Sequence, residues 1–436
     1  MPDGLNTMKP GLILLLCASS ALCQTPSPGP LVVDLPQALA RARQYGGQVQ
    51  SANLALAQAT QDRVQARAAT LPQISGLSQY IYTQGNGTPS GIFVSNDGVH
   101  VYNDQGIAHE DLTPVFLHGA QQRAAAAEAV ARAKVDIAAR GLNAVVIQNF
   151  YAVQDATRKI DNANRSLAEA QNFLDITQKL EAGGEAAHAD VVKAESQLQQ
   201  RQIDLSEAQT SSEKAKIALA VLIYPDYQTN FSVKDDLDQT DQIPPLPEVH
   251  AQAVATNPDV KAASLTVDQA GYDVAVARYG YLPTLSLDFF YGLNSNVFAW
   301  QRDENARNVG SVAQVTLNIP IFNWGATKSK VKQAQLRQDQ ARLDLSTTQR
   351  ALEGAIAAAH AEAEGAFAQV SMLRQNVDLA TESQRLALLR YQAGEATALE
   401  VSDAQSTVKT ARDAYDDGLA RYRIAIATLR TLMGQI

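Results

Sequence analysis

The sequence predicts a mainly α-helical protein that repeats one plan twice, with a small amphipathic sheet suited to part of a membrane β-barrel. Three observations support this fold class. The chain has two long regions without proline, it matches itself at a separation of about 210 residues, and segments of alternating polarity lie between its helical regions. A duplicated arrangement of helices and paired strands accounts for all three.

The chain begins with a predicted secretory signal peptide, residues 1–23. Lys9 precedes the apolar stretch Gly11–Leu22, and small residues end the segment. Both cysteines, Cys17 and Cys23, lie inside it, so the exported chain would form no disulfide. A lipid anchor on Cys23 is the alternative, but such an anchor normally needs a small residue immediately before the cysteine, and a leucine stands there.

A tandem duplication organises the rest of the chain. Leu35-Pro36 and Leu71-Pro72 recur, with the same spacing, as Leu246-Pro247 and Leu282-Pro283. The residues between these marks match one to one at many positions, which predicts two structural repeats. The predicted boundaries are a first repeat at 24–225 with strands in 72–118 and long helices in 119–223, a linker at 226–245, and a second repeat at 246–436 with strands in 282–322 and long helices in 325–434.

Each repeat contains a very long predicted helical region. Proline is absent from Val115 to Tyr224 and from Ile321 to Ile436, and both regions are rich in helix-forming residues. Each region has one plausible break, at Gly183-Gly184 and at Gly394. Apolar residues then follow a heptad, which predicts supercoiled helices with close neighbours. The seam residues after the second break are Val401, Val408, Tyr415, Tyr422 and Leu429; in the first repeat Arg201 and Ser212 interrupt the seam.

The segments between the helices predict four strands in total. In the second repeat, Leu285, Leu287, Phe289 and Tyr291 alternate with polar residues, with Phe290 as an exception. Four strands cannot close a barrel, so we expect other copies of the chain to complete the sheet. Trp300 and Trp324 flank the last strand, where aromatic residues mark the two membrane interfaces. A soluble sandwich with ordinary core aromatics is the alternative.

The composition excludes several classes of function. A net charge of −9 without clusters of lysine or arginine argues against a nucleic-acid partner. No phosphate-binding loop, nucleophile elbow or exported cysteine is present. His100, His109 and His118 recur every nine residues, a spacing that suits shared metal binding on neither a strand nor a helix. The sequence therefore predicts a protein that is not an enzyme and has no cofactor.

Four stretches together resemble the TolC family of outer-membrane efflux channels. They are "VTLNIPIFNWGATKSKVKQAQ" from Val315, "TNPDVKAA" from Thr256, "YQAGEATALEVSDAQ" from Tyr391 and "LRTLMG" from Leu429. The resemblance implies a homotrimer in which four strands per chain form one twelve-stranded barrel in outer-membrane lipid. It also implies an α-helical tunnel across the periplasm that contacts a periplasmic adaptor and an inner-membrane transporter. The first repeat departs from the pattern, since Gly46-Gly47 stands where the second has Asn257-Pro258.

The resemblance implies a constricted entrance at the two glycine breaks. Transferred position by position, it assigns the acids that line the entrance to Asp190, Glu400 and Asp403. It also assigns Tyr391 as the aromatic residue that helps to hold the entrance shut. Glu400 and Asp403 share a helix face, and a ring of such carboxylates from three copies would select cations. The alternative is that acids near a helix start only stabilise the helix dipole. Ala396 stands where one family member has an arginine that bridges to the next helix.

The two breaks also supply the predicted adaptor contacts. By the same resemblance, these are Gly184, Glu185, Gly394 and Glu395, and an unpartnered loop is the alternative. The predicted function is an outer-membrane exit duct of a tripartite efflux or type I secretion system. A soluble periplasmic coiled-coil adaptor or scaffold is the second hypothesis.

Overall fold

A computed structural model of the chain describes residues 31–83, 99–226, 230–239, 241–303 and 306–435. The predicted signal peptide, with Cys17 and Cys23, lies outside these residues. The described helices are α1 (Leu35–Tyr45), α2 (Gly47–Ala68), α3 (Thr113–Phe116), α4 (Gly119–Ala182), α5 (His188–Ile223), α6 (Leu246–Thr256), α7 (Pro258–Tyr279), α8 (Ala326–Gln392) and α9 (Ala398–Leu432).

Four antiparallel strands form one sheet. They are β2 (Gln73–Thr83), β3 (Val99–Asp111), β5 (Thr284–Ser295) and β8 (Val309–Asn318), in the order β2-β3-β5-β8. Each repeat supplies one hairpin, and the hairpins join where β3 pairs with β5, with Ala108 opposite Phe289. The shorter strands are β1 (Leu31–Val33), β4 (Phe231–Val233), β6 (Gln301–Asp303) and β7 (Ala306–Arg307), of which β1 pairs with β4 and β6 with β7.

The sheet has one apolar face that is open to solvent. On β5, Leu287, Phe289 and Tyr291 are exposed, whereas the residues between them are half-buried. Val315 and Leu317 of β8 extend the same exposed face, because they pair with Leu287 and Leu285. A contiguous apolar surface of this kind marks a site of contact with protein or membrane. Phe290, the exception in the predicted alternation, lies on the opposite, more polar face.

The long predicted helices are continuous. Helix α4 has 64 residues and α8 has 67, which corresponds to about 95–100 Å each at 1.5 Å per residue. Each turns back at its C-terminal end, so that α4 and α5 form a first hairpin and α8 and α9 form a second. In the described part of the chain, no helix has an apolar stretch long enough to cross a membrane.

The helices pack side by side in a fixed order. Near the sheet the order is α2, α4, α7, α8, and toward the hairpin turns it is α5, α4, α9, α8. The heptad seam lies in the interior, since Val401, Val408 and Leu429 are fully buried. Arg201 and Ser212, which interrupt the seam of α5, are buried as well. The interior of the stem therefore contains polar side chains at the positions where the heptad fails.

The two repeats differ at the corner between their first two helices, which are α1 and α2 in the first repeat and α6 and α7 in the second. In the second repeat, the Asn257 side chain accepts hydrogen bonds from the backbone N–H groups of Asp259 and Val260, at 2.9 and 3.1 Å. In the first repeat Gly46 occupies this corner, and a Cβ there would lie 2.5 Å from Leu142 Cδ2. The first corner thus uses a glycine for close packing where the second uses an N-cap.

The acidic linker between the repeats is bound to the helical stem. Arg158 of α4 pairs with Asp235 at 2.7 Å and with Asp238 at 2.6 Å, and Arg423 of α9 pairs with Asp241 at 2.8 Å. Burial lowers the pKa of Arg158, but its hydrogen bonds to Asp238 and Asp235 outweigh burial and raise that pKa above its ordinary value. These ion pairs connect the linker to both α4 and α9.

Candidate functional site

Both long hairpins end in the same backbone turn. Gly184 and Gly394 have φ angles of +79° and +76°. The N–H of Glu185 donates to Leu180 O at 2.8 Å, and the N–H of Glu395 donates to Arg390 O, also at 2.8 Å. This is the Schellman pattern, in which a left-handed residue ends the helix at little cost when it is glycine. The duplicated sequence therefore encodes two equivalent turns at one end of the stem.

The four predicted contact residues are exposed on these turns. Gly184 and Glu185 lie on the first turn, and Gly394 and Glu395 lie on the second. Among the described residues, neither glutamate carboxylate has an ion-pair partner within 4 Å. The turns thus present two glycines and two acids to solvent, and their contact with a partner remains a prediction.

The two turns differ in their side-chain contacts. In the first turn, His188 Nδ1 lies 2.7 Å from Glu181 Oε1. In the second, Arg390 donates to the carbonyl of Glu395 at 3.2 Å and lies 3.4 Å from the Glu400 carboxylate. Glu400, one of the predicted entrance acids, therefore has a cation beside it. Arg390 was not singled out from the sequence, although a basic residue in the last helical turn was a usable signal.

Asp190 and Asp403 are the other two predicted acids. Asp190 lies in the first turn of α5 and is half-exposed, while Asp403 lies on α9 and is exposed. In the described chain neither carboxylate has an ion-pair partner within 4 Å, in contrast to Glu400. The structure thus brings carboxylates from both hairpins to the same end of the stem.

Tyr391 lies inside the stem. Its side chain is only 5% exposed, its ring meets that of Phe173 at 5.3 Å, and its hydroxyl donates to Thr177 Oγ1 at 3.5 Å. Burial raises the pKa of Tyr391, and the nearby Asp190 carboxylate raises it further, although the bond to Thr177 opposes them. Tyr391 thus packs between the two hairpins, where it can hold them together. Its part in closing the entrance stays a prediction.

The two tryptophans lie at opposite ends of β8. Trp300 follows β5, and its carbonyl accepts a hydrogen bond from Asn308, next to the start of β8, at 3.2 Å. Trp324 lies between β8 and α8, and its ring contacts that of Phe322 at 4.8 Å. Both rings are largely exposed. A strand of 10 residues spans about 33 Å, which is close to the thickness of the hydrocarbon core of a membrane.

No metal site is found in the part of the chain that the structure describes. His109, on the polar face of the sheet, pairs directly across the strands with Asp288, at 2.6 Å between Nδ1 and Oδ1. The predicted site residues thus fall into two groups. Acids, glycines and Tyr391 lie near the hairpin turns, and Trp300 and Trp324 lie at the two ends of β8.

Part of the chain is similar to known outer membrane efflux proteins. Residues 249–435 match the family model described as outer membrane efflux protein. The chain is 26% identical over 281 residues to the outer membrane efflux protein BepC of Brucella suis, covering 63% of this chain and 58% of BepC. It is 23% identical over 383 residues to the outer membrane protein TolC of Vibrio cholerae, covering 85% and 83%. The chain thus spans less than two thirds of the length of BepC.

Solved structures share the fold. The outer membrane channel CmeC of Campylobacter jejuni matches with a TM-score of 0.81 at 17% identity, covering 92% of this chain and 85% of CmeC. The outer membrane protein VceC of Vibrio cholerae matches with a TM-score of 0.79 at 18% identity, covering 92% and 96%. The predicted architecture of duplicated long-helix hairpins and a four-stranded sheet is therefore confirmed.

Proposed function

We propose that the chain, whose residues 249–435 match the model of the outer membrane efflux proteins, is the exit duct of a tripartite efflux or type I secretion system. In this role it conducts substrates passively from a periplasmic adaptor and an inner-membrane transporter to the exterior. The observation that carries the proposal is the open four-stranded sheet with an exposed apolar face, mounted on a helical stem about 95–100 Å long.

An open sheet needs further copies of the chain. Strands β2 and β8 are its two edges, and four strands are too few to close on themselves. The helical layers have matching edges, with α2 and α5 on the side of β2 and with α8 on the side of β8. Because the two edges differ, copies join head to tail, and such contacts generate a ring when the rotation between copies closes. A homotrimer then contains twelve strands, as the resemblance to the TolC family implies.

Exposed apolar side chains on the helical edges support this assembly. On α8 they occur at heptad spacing in two groups, one near the sheet and one near the turns. On α2 and α5 the facing edge also exposes apolar residues. Supercoiled helices bury such stripes against a neighbour. The heptad-spaced residues on α8 are Leu336, Leu343, Met372, Leu379 and Leu386; exposed apolar residues of the facing edge include Leu54 and Val64 on α2 and Val192 and Ile203 on α5.

The two ends of the molecule then have different roles. At the sheet end, the apolar face contacts outer-membrane lipid, and Trp300 and Trp324 lie at its two interfaces. At the other end, Asp190, Glu400 and Asp403 of three copies surround the entrance, while Tyr391 holds the hairpins together behind them. Since Arg390 accompanies Glu400, the cation preference of this ring depends mainly on Asp190 and Asp403.

The turn residues Gly184, Glu185, Gly394 and Glu395 are the proposed contact with the adaptor. They are exposed at the end of the stem opposite the sheet, and their two turns have the same backbone geometry. A partner that recognises one turn can therefore recognise the other, so that three copies offer six similar contacts.

The proposal is tested on the purified full chain. We expect it in the outer-membrane fraction, as an oligomer in detergent that dissociates on heating and conducts ions in planar bilayers. Asp403→Asn should weaken the block of that current by divalent cations, because it removes unpaired carboxylates from the entrance. Asp378→Asn, an exposed acid of α8 away from the turns, is the control. A water-soluble monomer that does not enter detergent micelles would contradict the proposal.

The adaptor hypothesis has less support. The relatives named above are described as outer membrane proteins. A soluble adaptor would leave the apolar face of the sheet exposed to water, which is unfavourable. Fractionation separates the two, since an adaptor would remain in the soluble extract or the inner membrane.

A further inference from the structure

A layer of polar side chains crosses the stem above the turns. It consists of Glu169 on α4, Gln197 on α5, Gln384 on α8, and Gln405 and Arg412 on α9. Gln197 and Gln405 are 7% and 4% exposed, so the centre of this polar layer is in the interior. It lies about 20 Å from the first turn, judged from the rise of α4 between Glu169 and Gly183. All four helices of the stem contribute to it.

Glu169 is the centre of this layer. One carboxylate oxygen accepts a hydrogen bond from Arg412 at 3.0 Å, and the other accepts from Gln384 at 3.0 Å. Its backbone carbonyl accepts from Gln405 Nε2 at 3.3 Å, and Gln405 Oε1 accepts from Gln197 Nε2 at 2.6 Å. A single side chain of the first hairpin therefore holds both helices of the second.

The polar layer adjoins two apolar clusters. Toward the turns lies the cluster that includes Phe173 and Tyr391. A smaller cluster of Ala380, Val408 and Ala411 packs among the polar residues, since Val408 and Ala411 lie between Gln405 and Arg412 on α9. Apolar contacts are non-directional, and small side chains let helices shift along each other. A buried polar group in a coiled coil specifies register, because every other alignment leaves it without a partner.

The layer is also sensitive to change. Among the described side chains, the buried Gln197 Oε1 of this layer has no hydrogen-bond donor, and one turn away Arg201 Nε and Ser166 Oγ also lack a partner. Buried polar groups that are only partly satisfied weaken the native arrangement, so the remaining bonds of such a network carry more of its stability. The Glu169 side chain makes two of those bonds, and its backbone carbonyl makes a third.

We propose that Glu169 is a positioning residue, which sets the register of the second hairpin against the first and thereby the spacing of the entrance acids. Asp190 belongs to the first hairpin, and Glu400 and Asp403 belong to the second. A shift between the hairpins changes the distance between these carboxylates. This inference rests on the proposed function for its effect on conduction, whereas the register itself is a property of the fold.

Hydrogen exchange of the full chain in detergent tests the register directly. Glu169→Ala is expected to speed exchange in residues 386–403 about tenfold, because a bond to a charged group is lost on each helix of the second hairpin. Exchange in α6 and α7, far from the layer, should not change. Asp175→Ala is the matched control, since within the described residues the Asp175 carboxylate accepts only from Gln171 of its own helix.

A charge exchange separates positioning from general stability. Glu169→Arg and Arg412→Glu should each speed exchange, and the double variant should restore it to within about twofold of the original. Glu169→Gln keeps the size of the side chain and provides a second variant if alanine prevents folding. In bilayers, the single variants should alter conductance and the double variant should restore it.

The outcomes are distinct. Unchanged exchange at 386–403 in Glu169→Ala and Glu169→Gln overturns the inference, and so does an equal increase in the single variants and the double variant. If exchange responds as expected but the original protein conducts no ions, the proposed function fails and the role of Glu169 in register stands.

Discussion

At the scale of single residues, the two turns show how a local conformation is encoded. Gly184 and Gly394 occupy the left-handed region, and a Cβ at either position would meet no other atom. Space is therefore not the reason for glycine at these turns. The reason is the backbone angle, which costs about 1–2 kcal/mol for a residue with a Cβ.

This difference predicts opposite effects for two glycine substitutions. Gly394→Ala should destabilise the second hairpin by about 1–2 kcal/mol. Gly354→Ala, inside α8 with open space around it, should instead stabilise by about 0.5–1 kcal/mol, because alanine is the better helix former. Denaturant unfolding followed by circular dichroism measures both. Equal effects of the two substitutions would show that the backbone angle at Gly394 does not determine the stability loss.

At the scale of secondary-structure elements, the interrupted heptad of α5 is the informative feature. Arg201 lies in the seam, only 7% exposed, and pairs with Asp204 of the same helix at 2.9 Å. Burial alone would raise the pKa of Asp204, but hydrogen bonds from Gln200 and Arg201 outweigh it and lower that pKa below its usual value. The helix thus accommodates a charge in its seam by supplying a carboxylate one turn away.

The lowered pKa predicts how stability depends on pH. A carboxyl whose pKa is lower in the folded state adds stability above its unfolded pKa and loses it as pH falls through the folded value. Asp204→Asn should therefore destabilise by about 1–2 kcal/mol at pH 7, with the difference vanishing at acid pH. Unfolding of both proteins from pH 7 down to pH 2 checks this, and Asp175→Asn is the control. A difference that persists at the acid end would contradict the assigned cause.

At the scale of the whole molecule, every layer of the structure has two unlike edges. The sheet ends in β2 and β8, and the stem ends in α5 and α8. Apolar side chains are exposed along α8 at heptad spacing, and nothing in the described chain covers them. The single chain is in this sense incomplete, which is the physical basis for the proposed oligomer.

A charge placed on this edge should prevent assembly. Leu379 on α8 is 63% exposed in the single chain, and Leu399 on α9, an inner helix of the layer, is 54% exposed. Leu379→Asp should convert the detergent-solubilised oligomer largely to monomer, because it would bury an unpaired carboxylate between copies. Leu399→Asp should leave the oligomer intact. Light scattering after size-exclusion chromatography gives the mass, and an unchanged oligomer in Leu379→Asp would exclude this edge from the interface.

Much of the fold could be predicted from residues close together in the chain. Helix length follows from the absence of proline, the turns follow from Gly184 and Gly394, and the faces of the strands follow from alternation on β5. The candidate site was less accessible. Its acids and glycines were found by resemblance, but the burial of Tyr391 and the pairing of Arg390 with Glu400 required the packed structure.

The sequence by itself determined the duplication, the long helices, the turn positions and the strand polarity, because each depends on backbone angles or periodicity within a few residues. Only the tertiary structure decided that β3 lies beside β5, that Tyr391 packs on Phe173, and that Glu169 binds Arg412 and Gln384. These contacts join residues from different repeats, and no local pattern of angle or period carries information about which distant side chain will complete them.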